Sequence, residues 1–451
     1  MASSPRTPNT GLSALLDQAR WSRGQLAMAV NRIGNEIGLS LRYDQSAVSH
    51  WLSGTMPRAQ VRPVILEAFA RRLERPVAYD EAGLTRPDAE DDGGSTVEEL
   101  LDIGRADMDP SRRGVLAAGV YSAVLAVPMF PELAGRPAHA ATGRTTRIGE
   151  AEVATVRTMT EKIADILDEL GGGHARPMAA AFLVNTVAPY LQAAGTERVR
   201  KGMLAAASDL VYLTGWMAMY ERQHGLGQRY YTKALKLAGA AEDHVTYCRT
   251  LRGMSLQASN LGHGTKALQL ADAAAEASPK AGPRLRAFLA GQQAHAASMT
   301  GDRHTAFARL RETESALSKA DSRREAIGGY DTSAYQFHVS HVLYELKDLT
   351  GSIRAMEECL KLQPRQERQG RAHSHGLLAQ RQFELGHLDA ACATWHRFLD
   401  DYVQLSTARG DEHFDIMRRR IRPHASARSV KPLMERAREV ARSKSGPRQT
   451  W

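Results

Sequence analysis

The side chains best suited to recognition chemistry in the first part of the chain are Gln45, Ser46, Ser49 and His50. They share the polar side of the stretch Gln45-Ser46-Ala47-Val48-Ser49-His50-Trp51-Leu52, whose other side carries Val48, Trp51 and Leu52. Asp44 before the stretch is a preferred N-cap, and Ser53-Gly54 after it is a helix stop, so the spacing predicts a short amphipathic helix. A helix pinned by one face, with small hydrogen-bonding groups on its first turns, can enter a DNA major groove and read base edges. His50 also fits a plain surface position.

Chemistry of other kinds has no motif. The sequence contains no phosphate loop, zinc-protease helix, nucleophile elbow or paired-cysteine motif, so neither enzymatic activity, a cofactor nor a metal site is expected. Gly225-Leu226-Gly227 and Gly262-His263-Gly264 lie inside helical patterns rather than after strands, and His174 beside Gly171-Gly172-Gly173 reads as a polar turn residue.

The element that must hold the candidate reading helix is a small helical domain. Ser22 is placed to cap a helix through Leu26, Ala27 and Val30, and Val64, Ile65, Ala68, Phe69 and Leu73 after Pro63 supply a closing helix. Leu26-Ala27, then Asp44 through Gly54, then Pro57-Arg58, resembles the phage-repressor-like helix-turn-helix family, in a variant common among actinobacterial regulators. The resemblance implies double-stranded DNA as partner, with Gln45, Ser46, Ser49 and His50 facing bases. It also implies phosphate contacts from Arg23, Arg42 and Arg58, which position a domain without reading sequence. Residues 31–43 depart from that family's tight turn, and either lengthen the second helix or form a small wing. A domain of this kind can also dock protein instead of DNA.

Charge and composition divide the rest. The chain has 451 residues, 43% of them apolar, 24% charged and only 6% aromatic, with a net charge of +9, values of a globular, helix-favouring sequence large enough for two or three domains. Residues 1–80 carry ten Arg against six acids, whereas 86–110 carry nine acids against Arg86 and Arg105. The acidic block reads as a solvated linker. Cys248, Cys359 and Cys392 are too far apart for a zinc site and odd in number, which fits a reducing cytoplasm. The polar start of the chain lacks the apolar core of a signal peptide. Ser111-Arg112-Arg113-Gly114-Val115-Leu116, the apolar run to Phe130 and Ala138-His139-Ala140 resemble a twin-arginine export signal. Its place behind a folded domain and its length, short of the roughly 20 residues of a membrane span, favour a connector helix and no stable membrane association.

Beyond residue 150 the pattern is helical throughout and repetitive. Small residues twelve apart recur as Gly215 and Gly227, Ser255 and Ala267, Ala294 and Ala306, Ser340 and Ser352, Ala379 and Ala391. Turn sequences lie between most of these pairs, and Tyr231, Leu310, Met356 and Trp395 follow the second member by four, with Ala271 the exception. Such units are antiparallel helix pairs that touch where side chains are smallest, and stacking them builds a solenoid. The pattern resembles tetratricopeptide repeats, with Pro364 ending a unit as that family often does. The first helices would line a concave face bearing Trp216, Arg249, Arg252, Asn260, His295, Phe337, His341, Tyr344 and Gln380, a mixture able to hold a peptide, a small molecule or a protein segment. Any one of these can instead pack between repeats.

The expected molecule is therefore all-α: an N-terminal helix-turn-helix domain followed by an α-solenoid of tetratricopeptide-like hairpins. The expected boundaries are a DNA-binding domain over 1–85, an acidic linker and apolar connector helix over 86–149, a helical cap or degenerate repeat over 150–210, repeats over 211–405 and a basic helix or tail over 406–451. This joined architecture resembles a family of streptomycete regulators that includes negative regulators of sporulation and antibiotic production. The resemblance implies a cytoplasmic, homodimeric, sequence-specific transcriptional regulator of development or secondary metabolism. The alternatives are a scaffold that binds another regulator through its repeats, and a regulator tethered to a membrane by residues 114–130.

Overall fold

The computed structural model describes residues 7–36, 39–85, 95–108, 121–125, 127, 129–134, 147–277, 282–320 and 330–445. Among them the chain is all helical, with one isolated bridge between Arg147 and Ala194 in place of any strand. Ser111–Leu116 and Ala138–Ala140 lie outside the described residues, and no described helix is long and apolar enough to cross a membrane.

The first domain packs α1 (Thr10–Gln18), α2 (Arg23–Glu36), α3 (Gln45–Leu52) and α4 (Arg62–Leu73) around Leu12, Leu26, Ile33, Val48, Ile65 and Phe69. Ser22 and Gln25 form a reciprocal cap at the start of α2, the Ser22 Oγ accepting from the Gln25 N–H at 3.2 Å and the Gln25 Oε1 from the Ser22 N–H at 2.7 Å. Of residues 31–43, the first six lengthen α2 to Glu36, and the described residues 39–43 form no strand. The returning chain is tied down where the Asn31 amide exchanges two hydrogen bonds with the backbone of Tyr43, both at 2.8 Å. Asn9 caps α1 and donates to the Gly83 carbonyl at 3.0 Å, so the segment ending at residue 85 folds back over α1. A Cβ at Gly11 would stand 2.3 Å from the Glu81 carbonyl oxygen, which is why this crossing needs a glycine.

The expectation of a solvated acidic linker is corrected over 95–108, whereas much of the run expected as a connector helix, residues 114–120 with 126 and 128, lies outside the described residues. The acidic segment contains α5 (Thr96–Met108), which buries Val97, Leu100 and Ile103. Its period of three and four gives it an apolar stripe despite its charge, and the stripe joins the main core of the repeat region. Tyr121–Leu125, inside the run expected as a connector helix, forms a turn; a single turn of helix, α6 (Phe130–Leu133), follows.

The repeat region opens with α7 (Glu150–Leu170), α8 (Gly172–Phe182) and α9 (Ala188–Leu191), α8 and α9 being joined through a π-turn. Hairpins follow in order: α10 (Glu197–Tyr220) with α11 (His224–Ala241), α12 (His244–Asn260) with α13 (Gly264–Glu276), and α14 (Pro283–Met299) with α15 (Arg303–Leu317). Next come α16 (Thr332–Glu345) with α17 (Leu349–Leu362), and α18 (Arg368–Glu384) with α19 (Leu388–Tyr402). The first hairpin starts at Glu197, so the expected boundary at 210 falls inside α10. The basic C-terminal segment forms a further pair, α20 (Ala408–Ile421) and α21 (Val430–Ser445), which buries Phe414, Met417, Val430 and Leu433 with Trp395 and Phe398.

The small pairs do sit at the hairpin crossings. Ser255 donates to the Ala267 carbonyl at 2.7 Å, and Ser340 and Ser352 donate to each other's carbonyls at 2.6 and 2.9 Å. A Cβ at Gly215 would lie 3.1 Å from the Gly227 carbonyl oxygen. Seven residues after each first small position, at Arg222, Gly262, Gly301, Lys347 and Gly386, the turn takes a left-handed backbone, φ running from 59° to 85°. Only glycine adopts that region without steric cost. Lys347→Gly should therefore raise stability by about 1 kcal/mol, read as a higher urea midpoint with an unchanged slope; a lower midpoint would show that the lysine side chain matters more than its backbone.

The array curls until its end meets its start. The Ser406 N–H donates to the Leu170 carbonyl and the Gly173 N–H to the Ser406 carbonyl, each at 2.8 Å. Gln369 accepts from the Gly172 N–H at 3.1 Å, Arg368 donates to the Glu169 carbonyl at 2.8 Å, and Glu221 accepts from the Ala408 N–H at 3.1 Å. The triple glycine thus does more than stop α7. At Gly171, with φ of +91°, a Cβ would come within 2.5 Å of the Ser406 carbonyl oxygen, so only bare backbone can pass there.

Candidate ligand cavity and nucleic-acid interface

On α3 the N-cap is as the sequence requires: Asp44 accepts the Ala47 N–H at 2.9 Å, and Val48 and Trp51 are buried against the domain core. Gln45, Ser46 and His50 are exposed on the opposite side, with Arg23, Arg42 and Arg58 exposed as well. Ser49 differs. It is half-buried, its hydroxyl donates back to the Gln45 carbonyl at 2.8 Å, and its oxygen accepts from the Arg23 guanidinium at 3.1 Å. Its groups are therefore spent locally, and its observed role is to hold Arg23 beside α3.

Curling of the array forms a half-open cavity of about 800 Å³. Its walls come from α7, α10, α12, α14, α16, α17 and α18, so the first helix of each of the five hairpins contributes. Of the nine residues expected on the concave face, Trp216, Arg249, Arg252 and Phe337 line this cavity. Asn260, His295, His341, Tyr344 and Gln380 line a second, separate space of about 200 Å³. There the Tyr344 hydroxyl donates to Glu384 at 3.0 Å, and the Gln380 amide reaches out to His413 Nδ1 at 2.7 Å. That space is a packing seam between repeats, and the nine residues do not form one site.

The large cavity has a distinctive cationic wall. Arg249 is buried, pairs with Asp209 at 2.6 Å and lies 4.7 Å from the centre of the Tyr212 ring. Arg252, only 6% exposed, has no carboxylate within ion-pair reach among the described residues. Its guanidinium is 4.2 Å from the Phe288 ring centre and 5.7 Å from that of Trp216, and its Nε is without a hydrogen-bond partner. Among the described residues its hydrogen-bond contact is His338 Nε2, at a long 3.5 Å, while His338 Nδ1 lies 2.7 Å from the Tyr330 hydroxyl. Donation from the cation to Nε2 requires the ring proton on Nδ1, where it is given to Tyr330. Burial, followed by the nearby Arg252 charge, holds His338 well below the ordinary imidazole range, and burial lowers the Arg252 guanidinium itself.

Tyr330, Phe288, His338 and the two tyrosines that form a ladder with the expected Trp216, Tyr212 and Tyr220, escaped the sequence reading. The ladder was detectable, since its members are spaced by four along α10. Tyr330 was not, because it precedes α16 and reaches the cavity only through folding. Gly291 makes space for it: a Cβ there would stand 2.5 Å from the Tyr330 hydroxyl and 2.3 Å from His338 Nδ1.

A third arrangement joins the two regions. Glu67 on α4 accepts the Arg71 Nε–H at 2.7 Å and the Ala123 N–H at 2.9 Å, and Arg71 also donates to the Tyr121 carbonyl at 3.3 Å. On the other side of that turn, the Gln228 side chain accepts from the Ser122 N–H at 2.8 Å and donates to its carbonyl at 2.7 Å. Lys266 donates to the Leu125 carbonyl at 2.9 Å, and Tyr121 stacks on His263 with ring centres 5.6 Å apart. Tyr121–Leu125 is thus a strap bonded to the closing helix of the first domain and to α11 and α13 of the repeats.

A family model described as the SP15 N-terminal domain matches residues 12–85, the span that the Asn9–Gly83 closure defines. A comparison with curated proteins gives no match.

Proposed function

We propose that the chain is a sequence-specific DNA-binding transcriptional regulator acting in the cytoplasm, whose repeat region receives a ligand or partner and supports a homodimer. The observation that carries this reading is the polar face of α3: Gln45, Ser46 and His50 are exposed together beside exposed Arg23, Arg42 and Arg58. Groups that read base edges and groups that hold phosphates thus lie around one short helix. The resemblance to streptomycete regulators adds control of development or secondary metabolism. The Tyr121–Leu125 strap supports a coupling in which occupancy of the repeats shifts the orientation or spacing of the DNA-binding domains.

The test is genome-wide DNA capture with the full-length chain and with Gln45→Ala/Ser46→Ala. Discrete promoter peaks that vanish in the variant support the reading. Wild-type protein with no peaks above background would replace it by the scaffold reading. The strap has its own test. Gln228→Ala removes two hydrogen bonds and should weaken the docking of the first domain by about 1–3 kcal/mol. Small-angle scattering should then give a larger radius of gyration, while helical content stays unchanged. An unaltered radius would show that Glu67 and Arg71 suffice to hold the domains together.

A further inference from the structure

We infer that the repeat cavity is a receptor for a small organic monoanion, a carboxylic acid with an aromatic or branched apolar body, whose carboxylate pairs with Arg252. The inference rests on the ligand-receiving role given to the repeats above and is independent of DNA recognition. An arginine that is only 6% exposed and has no carboxylate partner is a costly feature, because buried charge is ordinarily paired. Here the cation is partly satisfied by the faces of Phe288 and Trp216 and, at Nη2, by His338, which leaves Nε and the remaining N–H groups to meet an acid. Arg is suited to that task, since its planar fork matches a carboxylate with two parallel hydrogen bonds.

The rest of the cavity limits what the acid can be. Trp216, Phe288 and Phe337 supply an apolar wall, and about 800 Å³ lies within the usual range for small-molecule sites. Glu161, Asp165 and Asp168 of α7 are among seven carboxylates that line the same space against the guanidiniums of Arg157, Arg249 and Arg252, so a polyanion such as a nucleotide or diphosphate would meet an excess of negative charge. A single carboxylate seated on Arg252 meets less of that repulsion, and a positively charged group elsewhere on the ligand would find these acids favourable. His338 and Tyr330 hold the guanidinium from the side and so act as positioning residues.

One carboxylate could come from a free organic acid or from the C-terminus of a short peptide, and the titration separates these sources. Full-length protein without DNA is titrated with 3-phenylpropionate and its neutral amide, and with the tripeptide Ala-Leu-Phe as free acid and as C-terminal amide. Binding is followed by calorimetry and by Trp fluorescence. We expect at least one acid to bind about tenfold or more tightly than its own amide, and the better acid identifies the source. Arg252→Met should abolish that preference, and Trp216→Phe should remove the fluorescence response while keeping the calorimetric one. Should the acid and amide of both pairs bind equally, or none bind, in wild-type protein, the inference fails whatever the variants do. Tighter binding of inorganic diphosphate than of either acid would overturn the monoanion assignment. The DNA-binding reading stands or falls separately, since no operator is present in the titration.

Discussion

Acidification from pH 7 to pH 5 should lower the melting temperature by on the order of 10 °C. The cause is a set of imidazoles buried in the neutral form. Burial, followed by nearby arginines, takes His295 down to about 4 and His413 and His224 to about 3, with His338 well below its ordinary value. The arginines facing them are Arg381 and Arg252 for His295, Arg409 for His413, Arg409 and Arg222 for His224, and Arg252 for His338, which His295 also faces. The unfolded chain takes up protons at these groups near pH 6.5, while the folded chain takes them up at His295, His413 and His224 only near pH 3–4. Between those limits the unfolded state binds more protons, so stability is complete above pH 6.5 and is lost as pH falls toward 4. Each imidazole costs roughly 1–2 kcal/mol over the first one and a half units of that window. Glu67 and Glu221, raised mainly by burial, act in the opposite sense, but burial also lowers His263, His341, His373 and His396, so the imidazoles prevail. Melting followed by circular dichroism at pH 7.5, 6.5, 5.5 and 5.0 checks this; a flat profile would mean that these rings are hydrated in solution.

The second large effect is expected at Asp107, near the end of the acidic segment. It is 1% exposed, forms an ion pair with Arg176 and accepts the Tyr230 hydroxyl at 3.1 Å. Arg176 is itself buried and also reaches Gln223 at 3.0 Å. Asp107→Ala would leave that guanidinium buried without its countercharge, a loss of about 3–5 kcal/mol. Asp102→Ala, on the same helix but exposed, should stay within about 0.5 kcal/mol of the parent. Urea unfolding of both variants distinguishes an acidic tether from a docked helix: equal, small effects would return the segment to a solvated linker. Exchanging both Asp107 and Arg176 for apolar residues of similar volume should recover much of the loss, because it removes the orphaned charge along with its partner.

Local features were legible in the sequence. The helical period shows in any window of about fifteen residues, and the Asp44 and Ser22 caps act over three residues. A hairpin crossing joins positions twelve apart, so Ser255 and Ala267, or Ser340 and Ser352, announce it by size alone. The end of the first domain near residue 85 and the all-helical class follow from the same kind of signal. Charge misled the reading at α5, because nine acids between 86 and 110 obscured an apolar stripe of Val97, Leu100 and Ile103. At α3, Ser49 looked like its neighbours, and only the approach of Arg23 from another helix shows its hydroxyl engaged.

What the tertiary structure decided is the closure and the cavity that it shapes. Curvature in a solenoid accumulates from a small rotation at each repeat, a quantity set by packing angles and absent from residue spacing. After five hairpins those rotations bring Ser406 onto Leu170 and Gly173, and Gln369 onto Gly172, across about two hundred residues of chain. The same accumulation divides the nine expected concave residues between a cavity and a seam, and sets Arg252 between Phe288 and Trp216 with no carboxylate to meet it. The sequence determined the hairpins because their contacts are local and periodic. The cavity depended on how their small rotations add, which only the folded chain expresses.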